Sequence, residues 1–470
     1  MERIKTDICI IGAGSGGLSV AAGASQMGAK VVLLEAGEMG GDCLNYGCVP
    51  SKALIAAGKQ AHAVRSGGYG VAPVEPEVDY AGAKDHVART IAAIAPVDSQ
   101  ERFEGFGVRV IREHGRFISE TEVQAGDTVI EARRFVVATG SSPFVPPIEG
   151  LDGVEVHTNE TIFDLRDRPE HLLIIGGGNI GMEMAQAHVR LGCKVTVIEG
   201  STPLAKDDPE LTAIVLDRLR AEGVEIVTGA QANRVSGGEA ITVHTEKGDF
   251  TGSHLLMAVG RKVNVEGLDL DKANVTWSKT GVEVGDDLRS TTNRRVYAVG
   301  DAAGGLQFTH VAGYHGGIVV RSAVLGLPAK AKTSHIPWST YTDPELAQVG
   351  LTEAQAREQH GDKLTVVRAN YDENDRAQAE AKTTGLLKVM VVKGRPVGAS
   401  IVGAQAGEMV GFWSLAIANN LKMSAISNSV LPYPTIAEIN KRAAGAYFSP
   451  KLFESDLVKR VVRVVQRWLP

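Results

Sequence analysis

One supersecondary unit occurs twice in this chain, and that repetition limits the available folds more than any other feature. Residues 7–36 read "DICIIGAGSGGLSVAAGASQMGAKVVLLEA": an apolar strand, a glycine turn, a run with helical spacing and a second apolar strand. Residues 171–199 read "HLLIIGGGNIGMEMAQAHVRLGCKVTVIE" and repeat the order. In the first copy Gly12, Gly14 and Gly17 satisfy G-x-G-x-x-G, and Glu35 stands 23 residues after Gly12. In the second the glycines are Gly176, Gly178 and Gly181, with Glu199 at the same distance. The first glycine of such a motif permits the turn, the second admits a pyrophosphate and the third lets helix and strand approach. The phosphates then meet the positive end of the helix, and the acid accepts from ribose hydroxyls. Two such units predict an α/β chain with two Rossmann-like dinucleotide-binding domains. Two dinucleotides in one chain imply electron transfer between them, most simply nicotinamide to flavin. Glu199 repels the extra phosphate of NADP and favours NADH, while nearby Lys206 leaves NADPH open.

At 470 residues the chain is long enough for roughly two to four domains. The 54 glycines sit among recurrent apolar runs, so they signal tight turns rather than disorder. "RRFVVATGSSPFVPPIEGLDG" (133–153) closes a strand on Thr139 and Gly140 and becomes a proline-rich linker. "HLLMAVGRKVNVEG" (254–267), with Gly260, and "RRVYAVGDAAGG" (294–305), with Asp301, repeat that strand-to-glycine ending and suggest a return to the first domain. From about residue 334 the glycine motifs stop, and alternating strands and helices predict a third, α+β domain. The net charge of −6 argues against a nucleic acid or an anionic membrane as partner. No apolar run approaches the ~20 residues of a membrane span. The start, "MERIKTDICIIGAGSGG", lacks a signal-peptide core, and the expected location is cytoplasmic.

Two of the four cysteines fall within "GGDCLNYGCVPSK" (40–52). A C-x4-C pair without a second pair or a histidine nearby is a poor zinc site, and no metal site is expected. Cys43 and Cys48 precede a helical run opened by Pro50. The positive helix end and Lys52 would both stabilise a thiolate, which points to a redox disulfide. Cys9 and Cys193 lie in strand-like surroundings and read as structural.

That stretch resembles the active-site signature of the pyridine nucleotide–disulfide oxidoreductases, the family of dihydrolipoamide dehydrogenase, glutathione reductase and mercuric reductase. Both glycine motifs, "VVATGSSP", "AVGRKVN" and "VYAVGDAAG" follow in the family's order. The resemblance implies an FAD-binding domain over 1–150 with a return segment at 281–333. It implies an NAD(P)H-binding domain over 151–280 and an interface domain over 334–470, in a homodimer. It implies that Cys48 faces the flavin, that Cys43 exchanges with substrate, that Lys52 pairs with Glu183, and that Asp301 binds the ribityl chain. Hydride would pass from NADH, or NADPH, to FAD, and electrons onward to the Cys43–Cys48 disulfide.

The departures bear on the acceptor. Where thiol-substrate members carry His-Pro-Thr-x-x-Glu, this chain reads "PYPTIAE": Pro434, Thr435 and Glu438 remain, and Tyr433 replaces the histidine. Tyrosine, with a reference pKa near ~10, is a poor base at neutral pH, and a positioned base is worth ~10²–10⁴ in rate. By the resemblance Tyr433 and Glu438 would complete the neighbouring subunit's site. A tyrosine here is similar to mercuric reductases, but no cysteine follows Cys193 to relay mercury. Asn179 stands where family members often carry a bulkier residue, and Val263 replaces a proline. His310 and His315, in "THVAGYHGG", read as packing or surface histidines. The expected function is dihydrolipoamide-dehydrogenase-like NAD(P)H:disulfide oxidoreduction, moving electrons through FAD and the Cys43–Cys48 disulfide to or from an acceptor the sequence does not identify, one that needs little proton transfer or brings its own. A mercuric-reductase-like reduction of a metal ion, a quinone reduction and a redox-sensing nucleotide-binding role stand as alternatives.

Overall fold

The computed structural model describes residues 2–469, and their contacts group them into two units. One runs to Ser201 and resumes over Val224–Lys332; the other comprises Thr202–Gly223 and the chain from Thr333 onward.

The first unit contains both repeats. Its seven-stranded sheet runs Arg109–Ile111, Val31–Leu34, Glu2–Ile11, Thr128–Val137, Glu122–Ala125, Gly115–Ser119, with Val296–Ala298 also paired to Thr128–Val137. The first four strands and Val296–Ala298 are parallel, and the other two antiparallel. In Glu2–Ile11 alternate residues enter opposite cores, as a two-residue period requires. Cys9 and Ile11 meet Phe117 and Phe135, whereas Ile8 and Ile10 meet Leu18 and Tyr297. The second repeat builds a wholly parallel five-stranded sheet in the order Val224–Thr228, Lys194–Glu199, His171–Ile175, His254–Met257, Val156–His157. Its central strand is apolar without alternation because both faces are covered.

The second unit is the α+β part, an antiparallel sheet ordered Pro337–Thr340, Glu345–Gly350, Arg395–Gly403, Leu386–Val392, Leu364–Asn370. The helices Ala406–Ala418 and Glu438–Phe453 bury Trp413, Ile439 and Ala443 in its core. The helix Pro209–Ala221 falls in the segment expected to bind NAD(P)H, yet its contacts are with the C-terminal strands Glu345–Gly350 and Arg395–Gly403. Leu211, Val215 and Leu219 are wholly buried there. Its N-terminus is fixed by Lys388, whose ammonium lies 2.8 Å from Asp208, 3.1 Å from Glu210 and 2.5 Å from Glu353. Burial opposes the Lys388 charge, but the three carboxylates outweigh it and raise the pKa. Among the described residues no helix is long and apolar enough to cross a membrane.

Candidate functional site

The two glycine turns have one geometry. Gly12 has φ +106° and Gly176 φ +112°, and a Cβ at either would lie 2.4 Å from the carbonyl oxygen of Ala138 or Ala258. A Cβ at Gly17 would lie 1.9 Å from the Gly12 oxygen, and one at Gly181 2.0 Å from the Gly176 oxygen. The middle glycines differ from these. A Cβ on Gly14 would meet nothing closer than Gly41 Cα at 4.0 Å, and one on Gly178 would meet nothing. Each middle glycine also opens a helix, Ser15–Gln26 or Asn179–Arg190, without a side-chain cap. The first-turn N–H groups are thus left for an outside acceptor, and each cradle fits a pyrophosphate.

The acids are held alike. Glu35 accepts from the backbone N–H of Ala13 and of Gly37, both at 2.6 Å. Glu199 accepts from Gly177 at 2.6 Å and Ser201 at 2.8 Å. Each carboxylate oxygen keeps a lone pair for a ribose hydroxyl.

The cysteine turn is stitched to the first cradle. Gly40 donates its N–H to Ala13 at 3.0 Å, and Gly14 bridges to Gly40. Cys43 lies in the short helix Gly41–Asn45 and Cys48 is the first residue of Cys48–Ser66. The helix therefore begins two residues before Pro50, and Cys48 itself lies in its first turn. The Cys48 sulfur lies 3.4 Å from the hydroxyl of Thr309, the first residue of the helix Thr309–Val319. Two helix N-termini converge on one sulfur, each favouring negative charge there.

Cys48 has its pKa lowered to about 6, chiefly by the hydrogen bond from Cys43; partial burial opposes this, and Thr309 and the Lys52 charge add to it. Cys43 is raised well above the ordinary thiol value, first by that same bond and then by burial. The pair thus favours the negative charge on Cys48, with the Cys43 thiol as donor. Lys52, one turn beyond Cys48, donates to Glu183 at 2.8 Å. Glu183 is nearly buried on the helix of the second repeat. Cys9 and Cys193 are buried, and burial pushes the Cys193 thiol up to about 12.

A polar chain runs beside the cysteines. Asp301 accepts from Ser141 at 2.5 Å, and Arg261 donates to that hydroxyl at 2.7 Å. Arg261 also pairs at 3.1 Å with Asp42, which accepts from Asn159 at 2.9 Å. Burial raises the Asp301 pKa. Thr139 donates to the carbonyl of Asn264 at 2.5 Å, while Gly140 and Gly260 accept from the backbone N–H of Asn264 and Phe144. Val263 is buried in the strand Arg261–Val263. His315 is buried, accepts from the Gly300 N–H at 3.2 Å and so anchors the turn carrying Asp301. His310 stacks on Phe308.

Tyr433 and Glu438 belong to the second unit. Tyr433 is exposed, and its hydroxyl donates to Asp375 at 2.9 Å. That bond and the Asp375 charge raise its pKa. Glu438 accepts from the Thr435 N–H at 3.4 Å. Sequence reasoning missed Thr309, Ser141, Asp42 and Asn159. Among the described residues no group of three or more His, Cys, Asp or Glu is placed to hold a metal ion.

Residues 6–316 match the family model described as Pyridine nucleotide-disulphide oxidoreductase, and residues 336–444 its dimerisation domain. The chain is 35% identical to a mercuric reductase of Lysinibacillus sphaericus, covering 93% of this chain and 82% of that protein. It is 30% identical to a dihydrolipoyl dehydrogenase of Bacillus subtilis (strain 168), covering 92% and 96%. Among solved structures it resembles the Cu(II) complex of the HOCl-induced flavoprotein disulfide reductase RclA from Escherichia coli. The TM-score is 0.83 and the identity 27%, over 93% of this chain and 99% of that one.

Proposed function

The chain belongs to the pyridine nucleotide–disulphide oxidoreductase family, whose members use FAD and NAD(P)H, and within it we propose a homodimeric, NADH-preferring reductase of thiophilic metal ions. The Gly12–Gly17 turn, Glu35 and Asp301 would hold FAD, and the Gly176–Gly181 turn with Glu199 the nicotinamide nucleotide. FAD, when bound, supplies a two-electron carrier between the nicotinamide and the sulfur pair. The protein's own part is to keep Cys48 ionised, by the Cys43 thiol, Thr309 and Lys52, and to hold Lys52 in place through Glu183. The reduced pair binds a soft cation through sulfur. As two electrons pass to one mercuric ion, or one to each of two cupric ions, Cys43 and Cys48 close their S–S bond and the remaining thiol proton leaves to water.

One observation carries this choice of acceptor: the Tyr433 hydroxyl is already a donor to Asp375 and its pKa is raised. A phenol held this way is a poor base for an exchanging thiol at neutral pH. Reduction of a metal ion needs no such base, whereas dithiol exchange does. The mercuric reductases among the relatives, and a related reductase solved with Cu(II), support the same reading. The test is turnover with NADH against mercuric ion, cupric ion, lipoamide, glutathione disulfide and a quinone. Metal-ion turnover should exceed that with lipoamide, and Tyr433→His should raise lipoamide activity. Efficient lipoamide turnover by the unaltered protein would instead assign it to the dihydrolipoamide dehydrogenase reaction.

A further inference from the structure

The last helix, Asp456–Trp468, has no buried residue, and only Val458 is partly covered. It begins 12 residues after the matched dimerisation domain ends at residue 444, and Ser455 caps it by accepting from Val458. At 100° per residue its apolar side chains fill one unbroken arc of about 160°. Leu457, Val461, Val464 and Trp468 are 71%, 53%, 54% and 82% exposed. The opposite arc holds Lys459, Arg460, Arg463 and Arg467 against a single acid, Asp456. Phe453, the last residue of the preceding helix, is also 71% exposed.

We propose that this helix is an in-plane anchor that holds the enzyme on an anionic phospholipid bilayer. A helix with a wide apolar face ending in tryptophan and a predominantly basic polar face lies at the headgroup–acyl boundary, its apolar side sunk roughly 5–10 Å. The arginine and lysine stems reach back to the phosphates. A second copy of the helix is a poorer occupant. Two-fold pairing would cover the apolar arc but leave the basic row facing water on the far side with no counter-charge, whereas an anionic bilayer engages both. The chain-wide charge of −6 conceals this segment, because the remaining residues are more negative than the whole. The expected absence of a membrane partner rested on that average and on the lack of a span, and neither bears on a helix lying in the plane.

The test is co-sedimentation of the holoenzyme with phosphatidylcholine vesicles made with and without phosphatidylglycerol. The intact protein should partition onto the anionic vesicles at least about tenfold more than onto the neutral ones. The double variant Arg460→Glu/Arg463→Glu, and a chain ending at Glu454, should stay in the supernatant with the native oligomeric mass and unchanged metal-ion turnover. On the anionic vesicles brominated lipid should quench the intact protein more than Trp468→Phe. An intact protein that stays in solution with anionic vesicles overturns the proposal. So does a truncated chain that loses its oligomeric mass, which would make the helix a subunit contact.

Discussion

Behind Glu35 the chain turns through Gly40 and Gly41 back against Gly14, and sets Cys43 and Cys48 beside the first cradle. Behind Glu199 it leaves its cradle altogether and becomes the helix Pro209–Ala221 of the other unit. Up to the acid the two repeats share the same turn, the same close approaches and the same backbone grip on the carboxylate. The cradle is thus generic to the repeat, and what sets the first copy apart is the dozen residues that follow it, which carry Cys43 and Cys48. Asp42 is the joint between them: it adjoins Cys43 and reaches Arg261, which follows the last strand of the second repeat's sheet.

The largest test of this division removes the segment unique to the first repeat. Cys48→Ser or Cys43→Ser should cut metal-ion reduction by ~10²-fold or more, with both nucleotides still bound. Survival of that turnover would show that the cysteines are secondary. Next, Gly17→Ala and Gly181→Ala make the same collision in the two cradles, costing roughly 1–3 kcal/mol each. The first should lower the flavin content of the purified protein, read from its absorbance; the second should leave the flavin and raise KM for NADH. Equal effects on both readouts would break the assignment of one nucleotide to each turn. Glu199→Ala should raise KM for NADH about tenfold and narrow its advantage over NADPH. The smallest effect is a titration. Cys48 is protonated below about pH 6 and ionised above it, so alkylation of the reduced protein should climb through that pH and level off. Thr309→Val or Lys52→Met should move the midpoint upward, and an unmoved midpoint would remove both groups from the account of the thiolate.

What the sequence disclosed follows from how far apart the cooperating residues lie. The glycine turns, their acids and the cysteine pair are each contained in short stretches, so spacing alone exposes them. Lys52 and Glu183, 131 residues apart, came only through the family resemblance. Thr309 stands 261 residues from the sulfur it touches, and nothing around it distinguishes it from an ordinary helix start. Pro50 marked a helix but not its first residue, because proline fits anywhere in a first turn where no N–H partner is needed. The helix Pro209–Ala221 occupies the place of an ordinary crossover between the parallel strands Lys194–Glu199 and Val224–Thr228. Its amphipathic spacing says that one face is covered, not which sheet covers it.

That crossover also limits how the molecule can be divided. A fragment stopping at Lys332 would carry Leu211, Val215 and Leu219 with the strands they rest on missing, and one starting at Thr333 would leave an open hollow on its sheet. Lys388 would lose Asp208 and Glu210 in the same cut. A cut at Lys332 therefore divides the second unit rather than separating it from the first.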